Sequence, residues 1–170
     1  MYETAEDLAV LQRLLDDSYA VAGPHLRRII TAERRLPAEE VVARLSGMRL
    51  LALATVTSDG RPIVGPVDGI FYRGSFHFGS APDSIRFRHI RRRPHVSATY
   101  LPGEEFSVTV HGRAVPINVQ HPDHAGFRRT VLEIYVPRYG PEWETFLDSG
   151  PVYARIEAHR IFTYNMPPEA

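Results

Sequence analysis

Between Met48 and Ile117 the chain keeps turning back on itself. Leu50–Thr57 (LLALATVT) is apolar and partly β-branched, and Ser58-Asp59-Gly60 follows as a tight hairpin turn. Pro62–Phe71 (PIVGPVDGIF) reads as the return strand. Pro66 inside it predicts a sheet edge or a bulge, because proline has no N–H for a ladder. Tyr72-Arg73-Gly74 turns into SFHFGS, and His95–Tyr100 is strand-like again. Pro102-Gly103 makes another turn, and Phe106–Ile117 (FSVTVHGRAVPI) alternates along its length with Gly112 in mid-course. Pro151–Tyr164 has the pattern of a last strand, with Val152, Ala154 and Ile156 set against Tyr153, Arg155 and Glu157. Strands joined mainly by hairpins predict an antiparallel sheet closing into a small barrel. The expected class is mainly β with flanking helices (α+β), a six-stranded antiparallel barrel.

One connection is different. Ser80–Val96 (SAPDSIRFRHIRRRPHV) opens with a small hydroxyl residue and a Pro-Asp pair, a helix-start signal. Ser84 follows, then Arg86, Arg88, Arg91, Arg92 and Arg93, and Pro94 stops the run. The order is strand, turn, short basic helix, proline, strand. Free amides at a helix start, a hydroxyl and a guanidinium suit a phosphate. A solvated basic face explains the same charges equally well.

Helices flank the strands. Leu8, Leu11, Leu14, Leu15 and Tyr19 recur at helical spacing, and Gly23-Pro24 ends that helix. His25–Ile30 reads as a helical turn, and a further helix starts at Leu36-Pro37 and ends at Gly47. Residues 121–149 turn helical again, with a start at His121-Pro122-Asp123, a stop at Pro137 and a second start at Pro141. The expected organisation is an N-terminal helical segment, 1–46, and a barrel domain, 47–165, with a helical insertion at 121–149. The N-terminal segment is free to pack on the barrel or on a partner subunit.

Twenty Lys and Arg balance twenty Asp and Glu, which argues against a general nucleic-acid or membrane-surface protein. There is no Cys, which removes disulfides, thiolate nucleophiles and Cys metal sites. No apolar run reaches the roughly 18 residues of a membrane span. Met1–Ala20 is too acidic and interrupted for a signal peptide, so a cytoplasmic protein is expected.

Three segments together resemble the pyridoxamine 5′-phosphate oxidase-like superfamily, the flavin- and deazaflavin-binding split β-barrels. They are LLALATVTSDGRPIVGPVDGIFY, then FHFGS with DSIRFRHIRRRPHVSATY, and more loosely VYARIEAHRIFTYN. The resemblance implies a split barrel of the FMN-binding type, a homodimer with the cofactor at the subunit interface, and a small-molecule substrate. It implies that Ser84 and Arg86 contact phosphate, that Ser80 touches phosphate or the flavin side chain, and that the backbone at Pro66 and Val67 lies along the ring. It leaves the catalytic residues unassigned. FMN is the first cofactor implied. A deazaflavin is the alternative, because Arg88, His89 and Arg91–Arg93 suit an acidic tail. The end of the chain, FTYNMPPEA, lacks the Arg-rich signature of the true vitamin B6 oxidases. A third reading is a barrel without catalysis whose groove takes another ligand such as haem.

Other residues are read as structural. His121 and His124 belong to a helix start rather than a metal site, and His111 to a hydrogen-bonded position in the barrel. Tyr135, Tyr139 and Trp143 are read as core or dimer-interface aromatics rather than flavin-stacking groups. No Gly-x-Ser-x-Gly elbow supports nucleophilic catalysis.

Overall fold

The computed structural model describes residues 2–166; Met1 and the end of the short C-terminal tail, 167–170, lie outside the described residues. Six strands close a barrel in the spatial order β1-β2-β3-β6-β5-β4. They are β1 (Met48–Val56), β2 (Pro62–Tyr72), β3 (Ser75–Ser80), β4 (His95–Tyr100), β5 (Phe106–Ile117) and β6 (Val152–Asn165). All neighbours are antiparallel. This is the barrel that the alternation and hairpin turns predict. Inward-facing Leu51, Leu53, Val67, Phe76, Phe78, Val108, Val110, Ala154 and Ile156 fill its interior.

The bulge does not fall at Pro66, which sits in unbroken register opposite Ala52. It falls at His111/Gly112, where β5 shifts against β6. A Cβ on Gly112 would press on the Glu157 carbonyl oxygen and lie 2.9 Å from Ala158 Cα. These are backbone atoms that cannot swing away. Gly112→Ala is therefore expected to cost about 3 kcal/mol of stability. A urea melt within about 0.5 kcal/mol of wild type would contradict this packing.

The N-terminal helices are part of the barrel's core. Helix α1 (Ala5–Ala20) opens with a capping box from Thr4 and Asp7 and buries Leu11, Leu15 and Tyr19. β6 pairs with β3 only over Val152–Arg155, so its later residues have one open side. α1 covers that side. Ile161 N–H donates to Ser18 Oγ (3.0 Å), Thr163 N–H donates to Tyr19 Oη (2.9 Å), and Leu36 N–H donates to Thr163 Oγ1 (3.1 Å). An exposed strand edge is thus closed by side chains rather than by another strand. Two short helices, α2 (Pro24–Ile29) and α3 (Ala38–Arg44), complete the segment.

Two helix boundaries differ from the sequence expectation. The basic helix α4 (Ile85–Arg92) begins after Ser84 rather than at Ser80, because Ser80 still pairs with Val152 as the last residue of β3. Helix α5 (Ala125–Tyr139) runs through Pro137. So close to the helix end, proline removes only one backbone donor, and the chain continues to Gly140, whose φ of 93° turns it away. Helix α6 (Glu142–Ser149) then leads into β6. Phe127, Val131, Tyr135 and Leu147 of this insertion pack with Ile70 and Tyr153 on the outside of the sheet, a second core. No helix among the described residues is long and apolar enough to cross a membrane.

Candidate functional site

β2 is longer than its second neighbour. It pairs with β1 from Pro62 to Ile70 but with β3 only from Gly69 to Tyr72. The far end of β3, Gly79 and Ser80, pairs with β6 instead. The barrel is therefore split, and β2 has an open side over residues 62–68. Pro66 fits there because its carbonyl faces the opening, where its missing N–H breaks no ladder bond. Strand alternation turns the main-chain groups of Val64 and Asp68 to the same side.

A cleft of about 470 Å³ follows this opening. Pro66, Val67 and Asp68 form one wall, and Gly79, Ser80, Ala81, Pro82 and Arg86 form the next. Tyr135, Trp143 and Phe146 of the insertion form the third, and Tyr153 lies at the base. Arg86 Nη2 donates to the Pro66 carbonyl at 2.9 Å. A Cβ on Gly65 would sit 3.3 Å from that nitrogen, so the guanidinium lies close against the strand. Partial burial lowers its pKa somewhat, but an arginine remains charged at neutral pH.

Four of the five residues singled out in the sequence, Pro66, Val67, Ser80 and Arg86, thus line one cleft. Ser84 does not line it. Its Oγ caps α4 by accepting from the Phe87 N–H at 3.3 Å. The further arginines, Arg88 and Arg91–Arg93, line a different cleft. His111 has the hydrogen-bonded position expected of it, with Nδ1 2.8 Å from Ser97 Oγ. His121 accepts from the Asp123 N–H at 3.3 Å, as a helix start requires.

The aromatic wall belongs to the second core, as expected. Tyr135 and Trp143 line the cleft as well as packing, with ring centroids 4.7 Å apart in a stack. The insertion folds back on the split and brings them there. The Tyr135 O–H donates to Asp68 Oδ2 at 2.9 Å. Burial, and then the Asp68 charge, hold Tyr135 well above the usual phenol range. Burial, again assisted by Asp68, pushes Tyr153 up to about 12. Both phenols stay neutral at pH 7. The indole Nε1 of Trp143 is buried without a partner among the described residues. Asp68, Phe146 and Tyr153 were not anticipated. The one signal for Tyr153 was an aromatic at an outward strand position, where solvent would favour a polar residue.

The cleft combines one cation, one carboxylate, neutral O–H and N–H donors and apolar walls. That set suits a flat conjugated ring with a polar edge and a phosphate. A six-stranded barrel split along one strand, with flanking helices, defines the class as the split β-barrels. The chain belongs to the pyridoxamine 5′-phosphate oxidase family, whose model matches residues 37–161. No curated protein matches it. Among solved structures, it is similar to a conserved hypothetical protein of Mycobacterium tuberculosis (22% identity, 82% of this chain and 94% of that one, TM-score 0.67). It is similar to a FAD-binding protein of Mesorhizobium loti (23%, 79% and 98%, 0.57). It is also similar to an F420 reductase (18%, 70% and 93%, 0.53) and to a haem storage protein of Vibrio cholerae (16%, 81% and 99%, 0.59). At these identities the likeness is one of fold.

Proposed function

We propose that the chain is an oxidoreductase that holds a flavin-type cofactor in the split of its barrel and acts on a small organic substrate. FMN is the simplest such cofactor, and a deazaflavin is the alternative. The observation that carries this reading is Arg86, held by the Pro66 carbonyl over the open side of β2, in the same cleft as Val67 and Ser80. The guanidinium would take the phosphate. The free main-chain groups of β2 would take the polar edge of the ring. A bound flavin supplies hydride chemistry, and the protein supplies position and electrostatics. Tyr135 contributes by holding Asp68 in place, since its proton is bound too tightly to be exchanged at neutral pH.

The family membership and the flavin-binding and F420-named neighbours support this reading. Haem is favoured less, because no histidine among the described residues lines the cleft. A homodimer belongs to the same proposal. Leu50 and Val64, 59% and 64% exposed, lie on the outer face of β1 and β2 next to the split. A second copy on that face would close the cleft on its open side.

The test is an absorption spectrum of the protein as purified, then titration with FMN and with the deazaflavin. Saturable binding of either, with a dimer mass by light scattering at micromolar concentration, is the expected result. A Soret band, or no binding of either compound, would reject the reading. A monomer would remove the shared site.

A further inference from the structure

The cleft beneath the insertion holds more than a flat ring and a phosphate require. Four of its lining side chains, Tyr135, Trp143, Phe146 and Tyr153, are aromatic. The Trp143 ring centroid lies 4.7 Å from that of Tyr135 and 4.8 Å from that of Phe146. Asp68, half-buried, is the one acid lining the cleft, and its Oδ2 accepts from the Tyr135 O–H. Among the described residues Asp68 has no basic partner. The one cation lining the cleft, Arg86, is held instead at the Pro66 carbonyl, two residues back along β2. A carboxylate and a guanidinium thus share one cleft without pairing.

Arg86 is the group a phosphate would take. A phosphate carries close to two negative charges at neutral pH, more than one guanidinium offsets. Asp68 adds to the excess, so the rest of the cleft favours a cation. The aromatic faces favour it too, because the ring quadrupole attracts positive charge, most strongly away from water. A carboxylate among aromatic rings suits an ammonium whose nitrogen carries alkyl groups. The rings meet the alkyl groups, and the carboxylate meets the charge. An anion in that place would face Asp68 in a partly desolvated cleft, and a purely apolar body would leave the carboxylate with less water and no new partner. Phe146, 47% exposed, is the ring with the most area left to cover.

We infer that the aromatic wall and Asp68 recognise an organic ammonium group, alkylated at nitrogen, on the substrate. The site stands on these side chains. That its occupant is the substrate rests on the flavin reading above.

The experiment compares choline with its neutral isostere, in which tert-butyl replaces trimethylammonium, and with the anion of tert-butylacetic acid. The three are similar in shape and differ in charge. Trp143 is the chain's one tryptophan, so its emission reports this cleft directly. The wild type, Asp68→Asn and Phe146→Leu are titrated with and without FMN. The wild type is expected to bind choline about tenfold or more tighter than the isostere, and the anion least. Asp68→Asn keeps an acceptor for the Tyr135 O–H. It should bring choline down to the affinity of the isostere, which itself changes less than about twofold. Phe146→Leu changes an exposed ring and spares the fold. It should weaken choline about threefold more than the isostere, because it keeps apolar area and loses the ring face. Equal affinity of the wild type for choline and the isostere, tighter binding of the anion, or an equal loss of choline and isostere in Asp68→Asn overturns the inference. FMN binding without a choline preference overturns this inference alone. No FMN binding overturns the flavin reading, and a choline preference then still supports the ammonium site.

Discussion

Arg86→Glu is expected to weaken flavin binding at least about a hundredfold, with the melting temperature within about 4 °C of wild type. The large effect has two sources. The substitution removes the charge-assisted hydrogen bond to phosphate proposed for Arg86, about 1.5–3 kcal/mol. It also puts a carboxylate where a dianion has to sit, in a partly buried cleft where repulsion is poorly screened. The small effect on folding follows from position. Arg86 is half-buried, and its hydrogen bond goes to a carbonyl on an otherwise open strand side. Arg86→Lys should fall between, because it keeps the charge but loses the planar fork. Arg86→Gln guards against misfolding of the Glu variant, since it loses the charge without adding repulsion. Undiminished affinity in both the Glu and Gln variants, each with a native circular dichroism spectrum, would remove Arg86 from the site.

Acid should destabilise the protein through His77. Its ring is 5% exposed, stacked on Phe127 at 4.3 Å, with Nδ1–H donating to the Ser75 carbonyl at 3.1 Å. Burial, followed by the charges of Arg155 and His124, lowers its pKa to about 3 against the Ser75 bond, which acts the other way. The unfolded chain takes up a proton near pH 6.5 and the folded chain only near pH 3. Between those values the unfolded state binds more protons, so stability falls as pH falls. The slope from this group is at most about 1.4 kcal/mol per pH unit. His77→Gln keeps a donor without titrating. Its stability should vary less between pH 7 and 4 than that of the wild type, by urea melts at each pH. Asp7, whose carboxyl Arg73 helps hold below its usual range, titrates alike in both and cancels. Parallel pH profiles would place His77 in contact with water.

Much of this was legible in the sequence. Alternation and turn residues predicted all six strands, because a half-buried strand must repeat every two residues and its turns need particular backbone angles. The resemblance to the split barrels picked out Arg86 among the arginines of the basic segment, and Pro66 pointed to a sheet edge or a bulge. These are local signals. Ser80 was placed at a helix start because the Pro-Asp signal is local too, whereas its pairing with Val152 is not.

What the sequence determined by itself was the element types and the barrel, and its resemblance to the split barrels pointed to Pro66, Val67, Ser80 and Arg86, which line the cleft. Only the tertiary structure showed that Ser84 is used as a helix cap and that Tyr135, Trp143, Phe146 and Tyr153 wall the same cleft as Arg86. It also separated the arginines into two clefts and closed the edge of β6 with Ser18 and Tyr19. The reason is range. Backbone propensity and amphipathic period act within a few residues, whereas Asp68 meets Tyr135 across 67 positions and Tyr19 meets Thr163 across 144. No local pattern encodes such contacts. They exist because the insertion and the first helix must each bury an apolar face, the insertion on the outside of the sheet and the first helix against the barrel's own core.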